Sequence, residues 1–179
     1  IWNGTADNDW TNTANWTGGV PGEGDDVQIP SGTPNDPHLP AATHPASGAY
    51  ALFAVSNGAT VVCLGDTTVT NEASGGSDGN PHGIGATIFC VNAVIEGTLD
   101  ANGQGFPYGE GPGYSYVGSS YGGKGSGGVA VYGSLTQPTA LGSGGGAAAA
   151  RTGGGAIRIA ATDTLTVNGT IDCSAPESN

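Results

Sequence analysis

The chain contains nearly the same seven residues twice, and this repeat constrains the fold more than any other feature. GTLDANG occupies residues 97–103, and seventy-two residues later GTIDCSA occupies residues 169–175. The flanks agree as well, with AVIEGTLDA at 93–101 aligning over LTVNGTIDC at 165–173. Strand-forming runs broken by glycine, in copies that align, are typical of a solenoid of stacked strands.

The alignment also predicts which side chains stack. It places Ile95 with Val167 and Leu99 with Ile171, so that like residues would bury continuous aliphatic columns. The glycine between successive strand runs is expected to supply a positive φ at each corner. Because the copies are few and irregular, an irregular β-sandwich is the alternative fold.

Local composition divides the chain, which we expect to form one all-β domain over 1–179, into four segments. The first carries all three tryptophans and is expected to cap one end of the core, and the third holds more than half of the 35 glycines with tyrosines between them. The segments are the cap at 1–49, strand rungs at 50–102, a long Gly/Tyr-rich insertion at 103–155 and a final rung at 156–179.

Charge and hydropathy exclude several partners. A net charge of −12, from 3 basic and 15 acidic residues, would repel nucleic acid and anionic lipid. No apolar run approaches the ~20 residues that a membrane-spanning helix needs. The scarcity of lysine, together with a chain that begins at Ile1 without an initiator methionine, favours an extracellular protein, from which either a leader has been removed or this fragment was cut.

The three cysteines leave two interpretations open. Cys63 ends ATVVC and Cys90 ends ATIFC, so both are expected at the same place in two successive strands. Parallel neighbours lie ~4.8 Å apart, a separation that a disulfide accepts, but two small buried residues can also stack there without a bond. Cys173 is then the odd cysteine, either a free thiol or an intermolecular link.

Five stretches resemble a known kind of protein. They are GTLDANGQGFPYGEGPG at 97–113, YGSLTQPTALGSGGG at 132–146, GGGAIRIAATDTLTVNGTIDCSA at 153–175, the tryptophan pattern W-x-G-x-x-D-x-D-W with N-W-x-x-G-x-P, and DDVQIP at 25–30. Together they are similar to a Gly-rich module of secreted bacterial surface and adhesin-like proteins. The resemblance implies a right-handed parallel β-helix, pectate-lyase-like in shape. It says little about function, because this shape serves both enzymes and inert stalks.

The sequence contains no convincing set of catalytic residues. A polysaccharide lyase needs a base near a carboxylate that is neutralised by Ca²⁺ or arginine. Of the three basic candidates, Lys124 and Arg151 lie in glycine-rich loops, and Arg158 alternates with Ile157 and Ile159 as an outward-facing strand residue. Asp25 and Asp26 are the only adjacent acidic pair, and alternation along a strand would point them to opposite sides. The three histidines form no zinc motif. We therefore assign no catalytic residue and expect a non-enzyme.

Three weaker kinds of site remain as hypotheses. Oxygen ligands at acidic turns suit Ca²⁺, although such residues more often only stabilise the turn. Exposed tyrosines could stack on sugars, although packing on the glycine-rich backbone is the favoured alternative. The candidates are Asp7, Asp9, Asp25 and Asp26 for Ca²⁺, Tyr114, Tyr116 and Tyr121 for a glycan, and Asn3, Asn15 and Asn168 as glycosylation sequons.

The function that the sequence favours is structural. The last strand run ends almost at residue 179 with no helical or aromatic cap after it. An uncapped solenoid end exposes backbone groups that can pair with another strand. We expect a secreted filament or matrix subunit that self-associates head to tail, with a carbohydrate-binding or adhesin module as the alternative and a lyase-like enzyme third. The alternative for the uncapped end is that the chain is cut from a longer β-helix whose next rung is missing.

Overall fold

The computed structural model describes residues 1–70, 81–134, 136, 138–145 and 151–176. Nine strands and one short 3-10 turn, Thr13–Asn15, make up its regular structure. The strands are β1 Asp26–Ile29, β2 His38–Leu39, β3 Thr43–His44, β4 Tyr50–Val55, β5 Thr60–Cys63, β6 Ala86–Ile95, β7 Thr98–Asp100, β8 Ile157–Val167 and β9 Thr170–Asp172. The all-β class is therefore confirmed.

The strands form two sheets in which the chain alternates. One sheet has the order β1–β4–β6–β3, with β8 also paired to β6, and the other has the order β2–β5–β7–β9. The pairs β1–β4, β4–β6, β5–β7 and β7–β9 are all parallel. Consecutive described strands lie in different sheets, except for β3 and β4, which follow each other in the same sheet.

The register between the two copies of the repeat is as predicted. Leu99 pairs with Ile171 in β7 and β9. The Asn168 N–H donates to the Ile95 carbonyl at 2.9 Å, which continues the same alignment into β8. Aliphatic residues of the two copies therefore lie next to each other, because inward and outward side chains alternate in the same phase along both strands.

The glycines between strand runs are expected to have positive φ, and this prediction is correct for Gly58 and wrong for Gly97 and Gly169. Gly58 has φ +78°. Gly97 and Gly169 are not among the glycines with positive φ. They are required for a different reason: a Cβ at Gly97 would meet the Ala59 carbonyl oxygen, and a Cβ at Gly169 would meet the Gly97 carbonyl oxygen. The chain passes too close to the preceding rung there for any side chain.

Contacts divide the chain into two compact units. The strand unit comprises Ile1–Cys63, Ala86–Asp100 and Arg158–Asp172, and it buries residues from both sheets, among them Val27, Phe53, Val61, Ile95 and Leu99. The glycine-rich unit comprises Leu64–Gly85, Ala101–Ile157 and Cys173–Asn179. It buries a smaller cluster formed by Phe106, Leu141 and Ala156.

Backbone packed against backbone is the main feature of the glycine-rich unit. The Gly105 N–H donates to Gly153 O, the Gly153 N–H to Phe106 O, and the Gly142 N–H to Gly154 O, at 2.8–2.9 Å. A Cβ on Gly153 would meet the Gly142 carbonyl oxygen, and a Cβ on Gly105 would lie 2.5 Å from the Gly153 carbonyl carbon. The predicted use of glycine for close backbone approach is confirmed for these residues.

Candidate functional site

The exposed edge of β8 and β9 is the candidate functional site. β9 is the last strand of its sheet, and β8 pairs with β6 alone among the described strands. The outer N–H and C=O groups of such strands have no neighbouring strand in the described chain. An edge of this kind is a template for pairing with another strand.

The side chains along this edge are apolar, and they are exposed at positions where the preceding rung is buried. Ile95 and Leu99 are completely buried. Their counterparts Val167 and Ile171 expose 43% and 41% of their surface, and Leu165 in β8 exposes 48%. The aliphatic columns of the core therefore continue into β8 and β9 and are exposed there among the described residues, which is unfavourable in proportion to the apolar area left in water.

The charge on this edge is low for so acidic a chain. Arg158, Asp163 and Asp172 are the charged residues of β8 and β9. The Arg158 guanidinium carbon lies 5.5 Å from the centre of the Phe89 ring, a cation–π contact that holds it on the sheet. Edge strands that stay unpaired are commonly protected by lysine, proline or a covering loop, and the sequences of β8 and β9 contain neither lysine nor proline.

The opposite end of the strand unit is covered by the first residues of the chain. The Trp2 N–H donates to Gln28 O in β1 at 2.9 Å, and the His38 N–H donates to Asn8 O at 2.7 Å. Trp2, Trp10 and Trp16 are buried. The Trp16 ring stands edge-on to both other indoles, with centroids 5.1 and 4.7 Å apart. Residues of the first segment therefore bond to β1 and β2, whereas none of the described strands lies beyond β8 and β9.

The acidic residues proposed for Ca²⁺ hold local turns instead of converging on one point. Asp7 accepts from the Asp9 N–H and from both the Asn12 and Asn15 amides, and these hydrogen bonds hold the pKa of its carboxyl below the ordinary value. Asp9 accepts from the Thr11 N–H. Among the described residues, no three acidic, histidine or cysteine side chains group together.

The second acidic pair lies at the start of β1. Asp25 accepts from the Gly22 N–H at 2.8 Å, which closes the turn before the strand. Asp25 and Asp26 border a small groove of about 190 Å³ with Ile1, Trp16 and Pro21. Asp26 is exposed as the first residue of the strand, while the next residue, Val27, is buried. These contacts are those of a strand start beside a turn.

The predicted stacking of two cysteines is wrong. Cys63 ends β5 and pairs with Leu39, whereas Cys90 lies in β6 of the other sheet and pairs with Tyr50. No disulfide joins the three cysteines. The local sequences ATVVC and ATIFC look alike, but the chain uses them for strands in different sheets. Burial raises the pKa of the Cys90 thiol, which disfavours its reactive thiolate.

Cys173 lies at the end of the glycine-rich unit. It borders a groove of about 350 Å³ together with Tyr121, Ala140 and Ala156. Cys173 is partly exposed.

The three tyrosines proposed for glycan contact have different environments. The Tyr121 hydroxyl donates to Ala140 O at 3.1 Å, and its ring stands edge-on to Tyr132 with centroids 5.0 Å apart. Tyr114 is half-buried, and Tyr116 exposes 66% of its surface. Tyr121 thus packs within its unit, while Tyr116 projects from a turn. Lys124 and Arg151 are both exposed.

One of the three sequons is built into the fold. Asn15 is completely buried, and its side-chain oxygen accepts from the Ala6 and Asp7 N–H groups. Its amide donates to Asp7 Oδ1 and Asp9 O. Asn168 is exposed at the turn between β8 and β9, and Asn3 is partly exposed. Sequence reasoning identified Asn15 only as a sequon and missed its structural role, which the clustered Asn and Asp residues of 7–15 could have signalled.

No protein-family model, no curated protein and no solved structure matches the chain. None of the described residues forms a helix long and apolar enough to cross a membrane.

Proposed function

We propose that this chain is a non-enzymatic structural protein, a right-handed parallel β-helix that serves as an extracellular surface or matrix subunit and self-associates through the edge of β8 and β9. The alternation of the chain between two parallel sheets supports the β-helix, since a coil that advances one strand per turn requires it. The acidic, lysine-poor composition supports the extracellular setting.

One observation carries the proposal of self-association. Val167 and Ile171 continue buried aliphatic columns, yet both expose more than two fifths of their surface. Pairing with another strand along β8 would bury apolar side chains of this edge and add backbone hydrogen bonds at the same time. Few exposed surfaces offer both gains at once.

The test compares two valine substitutions. Val167→Lys places a charge on the apolar edge, and Val117→Lys places the same charge on the glycine-rich unit, where Val117 exposes 67% of its surface. Sedimentation velocity over a wide range of concentrations, with electron microscopy of the same samples, gives the assembly state. We expect the unchanged chain and Val117→Lys to associate alike and Val167→Lys to stay monomeric.

Two outcomes would count against the proposal. If the unchanged chain is monomeric at every concentration, the edge does not associate. If Val167→Lys and Val117→Lys associate equally, the contact lies elsewhere on the molecule. Circular dichroism of all three proteins verifies that the lysine variants keep the same strand content.

A further inference from the structure

The two ends of the strand unit cannot serve equally in association. Head-to-tail stacking would set β8 and β9 of one copy against β1 and β2 of the next. Those first strands already receive backbone hydrogen bonds from the start of the chain, where Trp2 N–H reaches Gln28 O and His38 N–H donates to Asn8 O. Stacking there would require the buried tryptophans to leave their places, with a large loss of buried apolar area.

The apolar pattern of β8 is nearly the same read in either direction from its centre. Thr162 stands at the midpoint of Ile157–Val167. Ile159 and Leu165 are each three residues from Thr162. They lie on the same face of the strand because an even number of positions separates them. An antiparallel pair of β8 strands centred on Thr162 would therefore place Ile159 of each copy opposite Leu165 of the other.

We propose that β8 pairs antiparallel with β8 of a second copy, about a two-fold axis at Thr162, so that association ends at a dimer. This inference rests on the proposed edge association and specifies its partner. A two-fold contact uses the same surface on both copies and closes, whereas a head-to-tail contact continues into fibres. In this pair, Ile159 of each copy faces Leu165 of the other, which makes two apolar contacts. Asp163 faces Ala161, so the two Asp163 carboxylates are diagonal neighbours and are not directly opposed.

Net charge adds a further expectation. Each copy carries a net charge of −12, so two copies repel each other at a distance while the apolar edge attracts at contact. Salt screens the repulsion and leaves the apolar contact in place. Raising the salt concentration is expected to strengthen the dimer.

Cysteine cross-linking tests the axis. In a Cys173→Ser background, Thr162→Cys places a thiol opposite its own copy, and Thr164→Cys places the same thiol on the same strand opposite residue 160. Directly opposed residues of antiparallel strands have Cα atoms ~4.5–5.5 Å apart, within the range of a disulfide. We expect mild oxidation to yield a cross-linked dimer with Thr162→Cys at least about tenfold faster than with Thr164→Cys.

Mass measurement on the unchanged chain separates this inference from the broader proposal. A species that saturates at twice the monomer mass, with the fast Thr162→Cys cross-link, supports both. A monomer at every concentration overturns both. Growth without an end point keeps edge association and overturns the two-fold dimer. A saturating dimer in which Thr162→Cys and Thr164→Cys cross-link equally overturns the register at Thr162.

Discussion

Leu99 lies in direct register with Ile171 on the neighbouring strand, yet Leu99 is completely buried and Ile171 exposes 41% of its surface. The two residues come from the same position of the repeat. Their difference in burial arises because a further rung covers Leu99 and none of the described strands covers Ile171. The same position of the repeat is thus buried in β7 and partly exposed in β9.

Truncating these two residues should have unequal effects on stability. Leu99→Ala removes buried methyl groups and is expected to lower the free energy of unfolding by about 2–5 kcal/mol. Ile171→Ala removes partly hydrated groups and should lower it by less than about 1 kcal/mol. Urea unfolding of dilute protein measures both. Equal losses would contradict the difference in burial.

The buried side chain of Asn15 should be essential to the tryptophan cap. Asn15→Ala removes an acceptor for two N–H groups and a donor to Asp7 and Asp9, and it is expected to cost at least about 1–3 kcal/mol. Asn168→Ala, at an exposed turn, should change stability by less than about 0.5 kcal/mol. Tryptophan fluorescence during urea unfolding reports on the cap. A stable Asn15→Ala protein with native fluorescence would disprove this role.

Two glycines of the glycine-rich unit should respond in opposite ways to a methyl group. Gly153→Ala would drive its Cβ into the Gly142 carbonyl oxygen, so we expect a loss of about 1–3 kcal/mol. Gly123 has no atom within 4 Å of its Cβ position and its φ is not in the left-handed region. Gly123→Ala should therefore be neutral or stabilise by up to about 1 kcal/mol. Thermal unfolding compares them, and a tolerated Gly153→Ala would argue against the close backbone packing.

The buried Tyr132 should make the protein sensitive to alkali. Burial raises the pKa of its phenol to about 12, from an ordinary value of 10.0. Between these values the unfolded chain has lost the proton and the folded chain has kept it. The unfolded state therefore binds fewer protons, and stability falls as the pH rises from 10 to 12, by up to about 1.4 kcal/mol per pH unit from this group.

Tyr132→Phe tests that sensitivity. The substitution should flatten the alkaline loss, and it should also cost stability at neutral pH because the hydroxyl donates to Leu141 O at 2.7 Å and accepts from Ser143. Tyr116→Phe, at an exposed ring, is the control. Urea unfolding at about pH 7, 10 and 11.5 gives the free energy of unfolding against pH for the unchanged chain and for each of the two variants. The assignment fails if the alkaline loss persists unchanged in Tyr132→Phe.

The sequence by itself determined the all-β class and the register between the two copies of the repeat. The repeat at 97–103 and 169–175 predicted that Leu99 would pair with Ile171, because a copied alternation of apolar and polar residues can bury itself only in one register. The tryptophans of 1–16 predicted a cap for the same reason, since side chains so large and apolar must be covered. Both conclusions depend on local pattern and on hydrophobicity.

Only the tertiary structure decided which strand lies beside which and what each end of the stack exposes. Cys63 and Cys90 end similar local sequences, but they lie in different sheets because the consecutive strands β5 and β6 belong to different sheets. Val167 and Ile171 are aliphatic like core residues, and they are exposed because none of the described strands lies beyond β8 and β9. Burial is a property of neighbours, and the sequence of a strand specifies which face needs a neighbour without specifying whether one is present.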